Sequence, residues 1–385
     1  MNPAAGALTG LRVLDFTQVV AGPYCTRILA DLGADVIKVD KPVPAGSKAA
    51  PSSGSPPLNV GKRSIAIDTR TGEGRALARA LAAKSDIVVE NFRPGVMKQL
   101  GLGYEEMRDL RPEIIYCSIS GFGQTGSRSG ERAYGSTAHA MTGLMSILAN
   151  AAGVAPFNPG ITITDIVTGL YAFGAIGAAL HQRRQTGCGQ HIDVALLDTG
   201  LAFLYEPMQQ VLEGKQISLD GRRTPIYKGK DGYVVISTGE FENWQRIAMA
   251  LGHADAVNDA TDEMSRRKLI AQWISEADSV HTAGARLTQE NAPCGVVLNP
   301  EQALAHPYYQ EKGMIVEVPD PLQGRLPVIN SPLRFSDSAA GPTGPAPLAG
   351  QHTSAILREV LEYGDKEIAR LMETEAVSEQ PVDLS

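Results

Sequence analysis

The sequence predicts an α/β fold built on a Rossmann-like, doubly wound parallel sheet. Strand and helix signals alternate through the first third of the 385 residues. The first crossover has the length of a βαβ unit, and basic residues recur where the predicted strands end.

The elements follow in order. Arg12–Phe16 (RVLDF) reads as a strand, Ala21–Leu32 has helical periodicity, and Val36–Val39 (VIKV) reads as the next strand. The unit repeats with a strand at Ser64–Asp68, a helix at Gly72–Ala83, a strand at Ile87–Val89, a helical stretch, and a strand at Ile114–Ser118. Lys41–Pro57 is rich in Pro, Ala, Gly and Ser and reads as a mobile loop. Residues 135–213 are predicted mostly helical, with one helix over Tyr134–Leu148 and a long apolar one over Ile166–Leu180. A shorter α/β pattern starts near Gly229, with strands at Tyr233–Ser237 and Gly295–Leu298 and helices between them. Strand-like Met314–Val318 and Leu326–Ile329 follow, then a Pro/Gly/Ala-rich connector over Ser336–Gly350 and a helical tail over Ser354–Glu373.

Composition narrows the function. A hydrophobic fraction of 43% and a charged fraction of 20% are those of an ordinary globular protein, and the length implies two domains. A net charge of −7 without a long basic run argues against nucleic-acid binding. The four cysteines are widely spaced and no Cys/His cluster has metal-ligand spacing, so a reducing, cytoplasmic setting is expected. The start MNPAAGALTG lacks the pattern of a signal peptide. The run Ile166–Leu180 is shorter than the roughly 20 residues that span a bilayer. No membrane association is therefore expected.

Several residues carry candidate chemistry. Asp165 stands at the head of the apolar helix, after Thr162 and Thr164, as a helix-start carboxylate or as a nucleophile. Gly121-Phe-Gly-Gln-Thr-Gly126 matches GxGxxG, but the polar stretch Ser127–Arg132 follows it instead of a helix, which weakens a dinucleotide reading. The turn Asp15–Pro23 after the first strand faces the ligand crevice of such a sheet, where free amides favour anions. Lys41, Arg70 and Arg93 follow the second, third and fourth strands, so one crevice edge carries three cations suited to phosphate. His139 is a lone helical histidine, and no GxSxG elbow is present.

Ordered landmarks run through nearly the whole chain. They are Leu8–Thr17, Ala21-Gly-Pro23, Leu29–Val39, Lys62-Arg-Ser-Ile65, Glu90-Asn-Phe-Arg-Pro-Gly95, Ser118–Gln124, Asp165 with Thr168-Gly169, and Thr186–Asp193. Together they resemble the family III CoA-transferases, which include the formyl-CoA:oxalate and carnitine CoA-transferases and have the α-methylacyl-CoA racemases as relatives. The resemblance implies a large domain built from both chain ends, over 1–213 and 306–385. It also implies a smaller inserted domain over 225–305 and an interlocked homodimer. It implies Asp165 as a nucleophile that forms aspartyl anhydride and aspartyl-CoA thioester intermediates. Coenzyme A and acyl-CoA enter as substrates, together with a small carboxylic acid, and no prosthetic group or metal is implied. The family's CoA contacts fall on Val20, Ala21, Lys41, Ile67, Arg70, Asn91, Phe92 and Arg93, with Arg132 and Tyr134 near the active site.

Three departures qualify the resemblance. Asp40 stands where glutamate is usual, and Gln99 stands where a basic residue is common, with Lys98 beside it. The racemase relatives carry a His-Asp pair where this chain has Tyr134-Gly135. Loss of that histidine removes one base from a two-base proton exchange, which favours transfer over racemisation. The alternatives are an acyl-CoA racemase or epimerase, and a noncatalytic acyl-CoA-binding protein.

Overall fold

A computed structural model describes residues 5–44, 46–217, 224–237, 241–252 and 262–380. The chain divides into two compact units, Met1–Gln209 with Lys312–Ser385, and Gln210–Glu311.

The larger unit is organised by a seven-stranded sheet. Its strands are β1 (Arg12–Asp15), β2 (Asp35–Asp40), β3 (Arg63–Ile67), β4 (Ile87–Glu90), β5 (Ile115–Ser120), β6 (His191–Ala195) and, near the C-terminus, β12 (Val377–Ser378). The order is β12-β3-β2-β1-β4-β5-β6, all parallel except β12, which runs antiparallel beside β3. The order reverses between β1 and β4, and a crevice opens there beyond the strands' carboxyl ends.

Strand residues alternate between two cores because successive side chains point to opposite faces. Leu14, Ile37, Ile65, Val88 and Tyr116 pack on one face. There they meet α2 (Gly72–Ala83), the short α3 (Val96–Gln99), α4 (Tyr104–Leu110) and the C-terminal α15 (Thr353–Leu361) and α16 (Asp365–Glu373). Val13, Val36, Val89, Ile115 and Cys117 pack on the other, against α1 (Ala21–Asp31) and α7 (Ile163–Thr186). Each fully buried Leu or Ile here contributes about 1.5–3 kcal/mol.

Several expectations change. The helix expected over Tyr134–Leu148 is two, α5 (Gly135–Met141) and α6 (Leu144–Ala152), broken where Gly143 takes φ +87°. The C-terminal tail is also two helices, broken at Glu362, which adopts the left-handed conformation. The loop after β2 is irregular but tethered. Asp40 accepts from Ser52 Oγ at 2.5 Å and Ser53 N at 2.8 Å, Val43 N donates to Ser378 Oγ, and Ala50 N donates to Gln380 Oε1.

Helix α7 is 24 residues long, longer than the apolar run implied, and by length and composition it is apolar enough to cross a membrane. Thr168, Gly169, Ala172, Ile176 and Ala179 form its buried stripe against α1 and the sheet. α8 (Leu196–Phe203) and α9 (Tyr205–Leu212) follow β6.

The smaller unit holds a three-stranded antiparallel sheet of β7 (Ile226–Lys228), β8 (Tyr233–Ile236) and β9 (Cys294–Val296). α10 (Phe241–Leu251), α11 (Glu263–Glu276) and α12 (Val280–Gln289) cover it around Trp244, Ile247, Ile274 and Leu287. Asp262 and Ser279 cap α11 and α12 by accepting from the third helical amide. Two short helices, α13 (Pro300–Ala305) and α14 (Pro307–Glu311), complete the unit. The chain re-enters the larger unit through the antiparallel hairpin β10 (Ile315–Asp320) and β11 (Gly324–Ile329).

Candidate active site

The carboxyl end of β1 is fixed by a buried charge cluster. Asp15, Lys38 and Lys62 are all essentially inaccessible to solvent. Asp15 accepts from Thr17 N at 2.8 Å, Thr17 Oγ at 2.6 Å, Thr26 Oγ at 2.7 Å and Lys62 Nζ at 3.0 Å. Lys38 Nζ donates to the Thr17 carbonyl. Burial pushes the Asp15 carboxyl up, but the two lysines and two hydroxyls outweigh it and hold the group well below the usual carboxylate range. Burial lowers the Lys62 ammonium to about 8 against the pull of Asp15. These bonds set the turn into α1, where Val19 takes φ +68°, an unfavourable conformation for a β-branched residue. Removing one partner would leave a buried charge uncompensated, at about 3–5 kcal/mol.

Across the reversal point, Asn91 accepts from Gln18 N at 2.7 Å and donates to Gln18 O at 2.7 Å, clipping the β4 turn to the β1 turn. Glu90, 4% exposed, accepts from Phe92 N at 2.8 Å. A cleft of about 430 Å³ lies along the carboxyl ends of β1 to β4, lined among others by Gln18, Lys41, Ile67, Thr69 and Phe92. Lys41 and Arg93 are exposed and form no side-chain hydrogen bond or ion pair among the described residues. A larger concavity of about 560 Å³ lies by Asp86, Glu113 and Arg183, at the strands' amino ends. The 430 Å³ cleft is the better candidate, because open α/β sheets bind ligands at their carboxyl ends.

Asp165 is the third residue of α7 and is half-buried. Its carboxylate lies against the backbone of Gly135, where a methyl group would fall 2.0 Å from Oδ2. No side chain among the described residues bonds it. Burial raises its pKa above the ordinary value, opposed by a bond from its own backbone amide. The helix start therefore does not depress this carboxyl, because desolvation outweighs the amides. One turn on, Gly169 lets α7 meet the start of α1, since a Cβ there would sit 2.7 Å from the Ala21 carbonyl oxygen. That contact brings the Asp165 turn, about 6 Å away along the axis, close to Val20 and Ala21.

Residues 8–353 match CoA-transferase family III. Succinyl-CoA:glutarate CoA-transferase of Homo sapiens is 34% identical over 97% of this chain and 90% of its own length. The chain belongs to CoA-transferase family III. A second relative, succinyl-CoA:mesaconate CoA-transferase of Haloarcula hispanica, is 33% identical over 92% of this chain and 96% of its own length. A CaiB/BaiF family protein from Brucella suis, known from a crystal structure, shares 31% identity. It superposes with a TM-score of 0.76 over 92% of this chain and all of that one. As a family III CoA-transferase, the enzyme moves CoA between acyl-CoA thioesters and carboxylic acids.

The positions singled out from the sequence fall into two groups. Lys41, Ile67 and Phe92 line the cleft, Asn91 braces it through Gln18, and Arg93 is exposed just beyond. Val20, Ala21, Tyr134 and the exposed Arg132 stand at the starts of α1 and α5, with Asp165 against Gly135. Arg70 joins neither group. Its guanidinium pairs with Asp68 at 2.8 Å, is 86% exposed, and is not part of the cleft wall. The glycines of the GxGxxG match open into bends rather than a helix, and Gln124 N donates to Asp193 Oδ2 at 2.7 Å. Among the described residues no three His, Cys, Asp or Glu side chains converge as a metal site.

Sequence reasoning did not single out Lys38, Lys62, Glu90 or His139 as parts of this machinery. For Lys38 a signal existed, a lysine inside the apolar run Val36-Ile-Lys-Val39 of β2.

Proposed function

We propose that the enzyme transfers CoA from succinyl-CoA to a five-carbon dicarboxylate, with Asp165 as the covalent nucleophile. The observation that carries the reading is the half-buried, unpaired Asp165 carboxylate, set beside the start of α1. The substrate class rests on two relatives whose names join succinyl-CoA to glutarate or mesaconate.

Asp165 attacks the donor thioester carbonyl, giving a mixed anhydride and CoA thiolate. The thiolate attacks the aspartyl carbonyl, releasing succinate and leaving an aspartyl-CoA thioester. The acceptor carboxylate attacks that thioester, expelling CoA thiolate and forming a second anhydride. Thiolate attack on the acceptor's acyl carbonyl then yields the new acyl-CoA and frees Asp165. No step needs a proton, which fits a site without a paired base beside the carboxylate. Anhydrides hydrolyse, so partial burial of Asp165 serves the chemistry by limiting water. In this reading Lys41 and Arg93 meet CoA phosphates, and Phe92 and Ile67 give the cleft its apolar wall.

A homodimer belongs to the same proposal. Leu170, Tyr171, Leu201, Phe203 and Tyr205 on α7 to α9 are 47–70% exposed, an apolar surface suited to a second copy.

The test is Asp165→Ala assayed with succinyl-CoA and a panel of dicarboxylates. Transfer is expected to vanish while CoA binding persists, and intact-protein mass spectrometry of the wild type should show CoA attached at Asp165. Full activity in the variant would refute the nucleophile. Deuterium incorporation into a 2-methylacyl-CoA without any transfer would refute the transferase reading in favour of racemisation.

A further inference from the structure

Helix α7 does not cap itself. Its N-cap residue Thr162 has φ −89° and ψ 54° and makes no side-chain cap bond. That is not the extended conformation from which a threonine hydroxyl reaches the first-turn amides. The amide of Thr164 is instead taken by another helix, donating to Nε2 of His139 on α5 at 3.3 Å. His139 is 2% exposed and Thr164 1%.

The bond fixes the state of the ring. Nε2 can accept only if the imidazole is neutral with its proton on Nδ1. That Nδ1 is buried and has no partner among the described residues. A second contact joins the same pieces, since Thr164 Oγ donates to the Gly135 carbonyl at 3.3 Å. The first turn of α7 is thus pinned to both ends of α5. Asp165, the next residue, lies against Gly135, the residue that takes the second of these bonds.

We propose that His139 is a positioning residue for the nucleophile: its neutral imidazole caps the Thr164 amide and holds the Asp165 turn against α5. The role rests on Asp165 being the nucleophile. Without the acceptor, a buried amide loses its partner, and the turn gains by unwinding towards solvent. Asp165 moves with that turn, away from the line of attack on the thioester.

The experiment compares His139→Leu, which removes the acceptor at similar volume, with His139→Gln, whose Oε1 reaches the place of Nε2. Full-length variants are assayed for kcat and for KM of succinyl-CoA. The rate of Asp165–CoA adduct formation without acceptor is followed by mass spectrometry. His139→Leu should lower kcat and the adduct rate together by about 10- to 100-fold, as small misplacements of reacting groups do. KM should stay within about twofold, the mark of lost transition-state positioning rather than lost binding. His139→Gln should recover most of the rate. If His139→Leu is insoluble, His139→Asn replaces it, because its shorter amide cannot reach Thr164. Full kcat in the Leu or Asn variant, or loss that Gln does not restore, overturns the positioning role. Full activity in Asp165→Ala overturns the nucleophile instead, so the two failures are distinct.

Discussion

Replacing Glu90 with Gln should stabilise the protein at high pH and leave it nearly unchanged at low pH. Glu90 ends β4, 4% exposed, and its carboxyl is pushed up from 4.5 to about 7. Burial is the main cause and the nearby Asp193 adds to it, while bonds from Ser118 and the Phe92 amide act against it. The folded protein therefore holds this proton to a higher pH than the unfolded chain does. The stabilisation is fully present below about pH 4.5 and is lost as pH rises through about 7. That interval, at about 1.4 kcal/mol per pH unit, amounts to about 3 kcal/mol. Gln keeps an acceptor for the Phe92 amide and never ionises, so the variant should gain about 3 kcal/mol at pH 8 and little at pH 5. At roughly 2 °C per kcal/mol for a unit of this size, the melting temperature should rise by about 6 °C at pH 8. Scanning fluorimetry of wild type and Glu90→Gln from pH 5 to 8 measures it. A difference that stays constant across the range, or one larger at pH 5, would refute the assignment of a buried carboxyl that titrates near neutrality.

Three further outcomes follow from the site. Gly135→Ala places a methyl group 2.0 Å from Asp165 Oδ2, so the flexible carboxylate must move while the fold survives. kcat should fall by about 100-fold with an unchanged melting temperature, and retained kcat would mean that the contact is not used in catalysis. Lys41→Ala should raise KM for acyl-CoA about tenfold, as expected for one charge-assisted phosphate contact, more at low salt than at high. Arg70→Ala should leave KM unchanged, because that exposed guanidinium lies outside the cleft wall. The reverse pattern in steady-state kinetics would place the phosphates on the Arg70 side.

The fold was legible where one physical signal dominated. The β1–α1–β2 unit announced itself because buried parallel strands are near-continuous apolar runs and α1 keeps a single apolar face. The cations beyond the strand ends followed from that reading, and two of the three keep free side chains. Strand β6 was harder: His191 and Asp193 are exposed, so its apolar run is short. β12 has two residues and no periodicity to read. The cap on α7 could not be seen in the sequence, because Thr162 and Thr164 look like local cap residues while the working acceptor lies 25 residues away on α5. Lys62 carries the ordinary signature of a surface lysine, and Lys38 stands out only as a lysine inside a buried strand. Only the fold reveals that both close on Asp15 beneath the first turn.

The choice between transfer and racemisation turns on Gly135. Two-base proton exchange needs two titratable groups on opposite sides of one substrate carbon. Here the position before Gly135 is Tyr134, 63% exposed, and Gly135 itself is filled by the Asp165 carboxylate resting on its backbone. Among the described residues the imidazole close to Asp165 is that of His139, which is buried and whose Nε2 is already occupied by the Thr164 amide. Using that nitrogen as a base would give up the bond to the Thr164 amide. What remains among the described residues is a single carboxylate, partly desolvated, with no side chain bonded to it. Such a group can exchange acyl partners without moving a proton, and that is the chemistry a CoA-transferase requires.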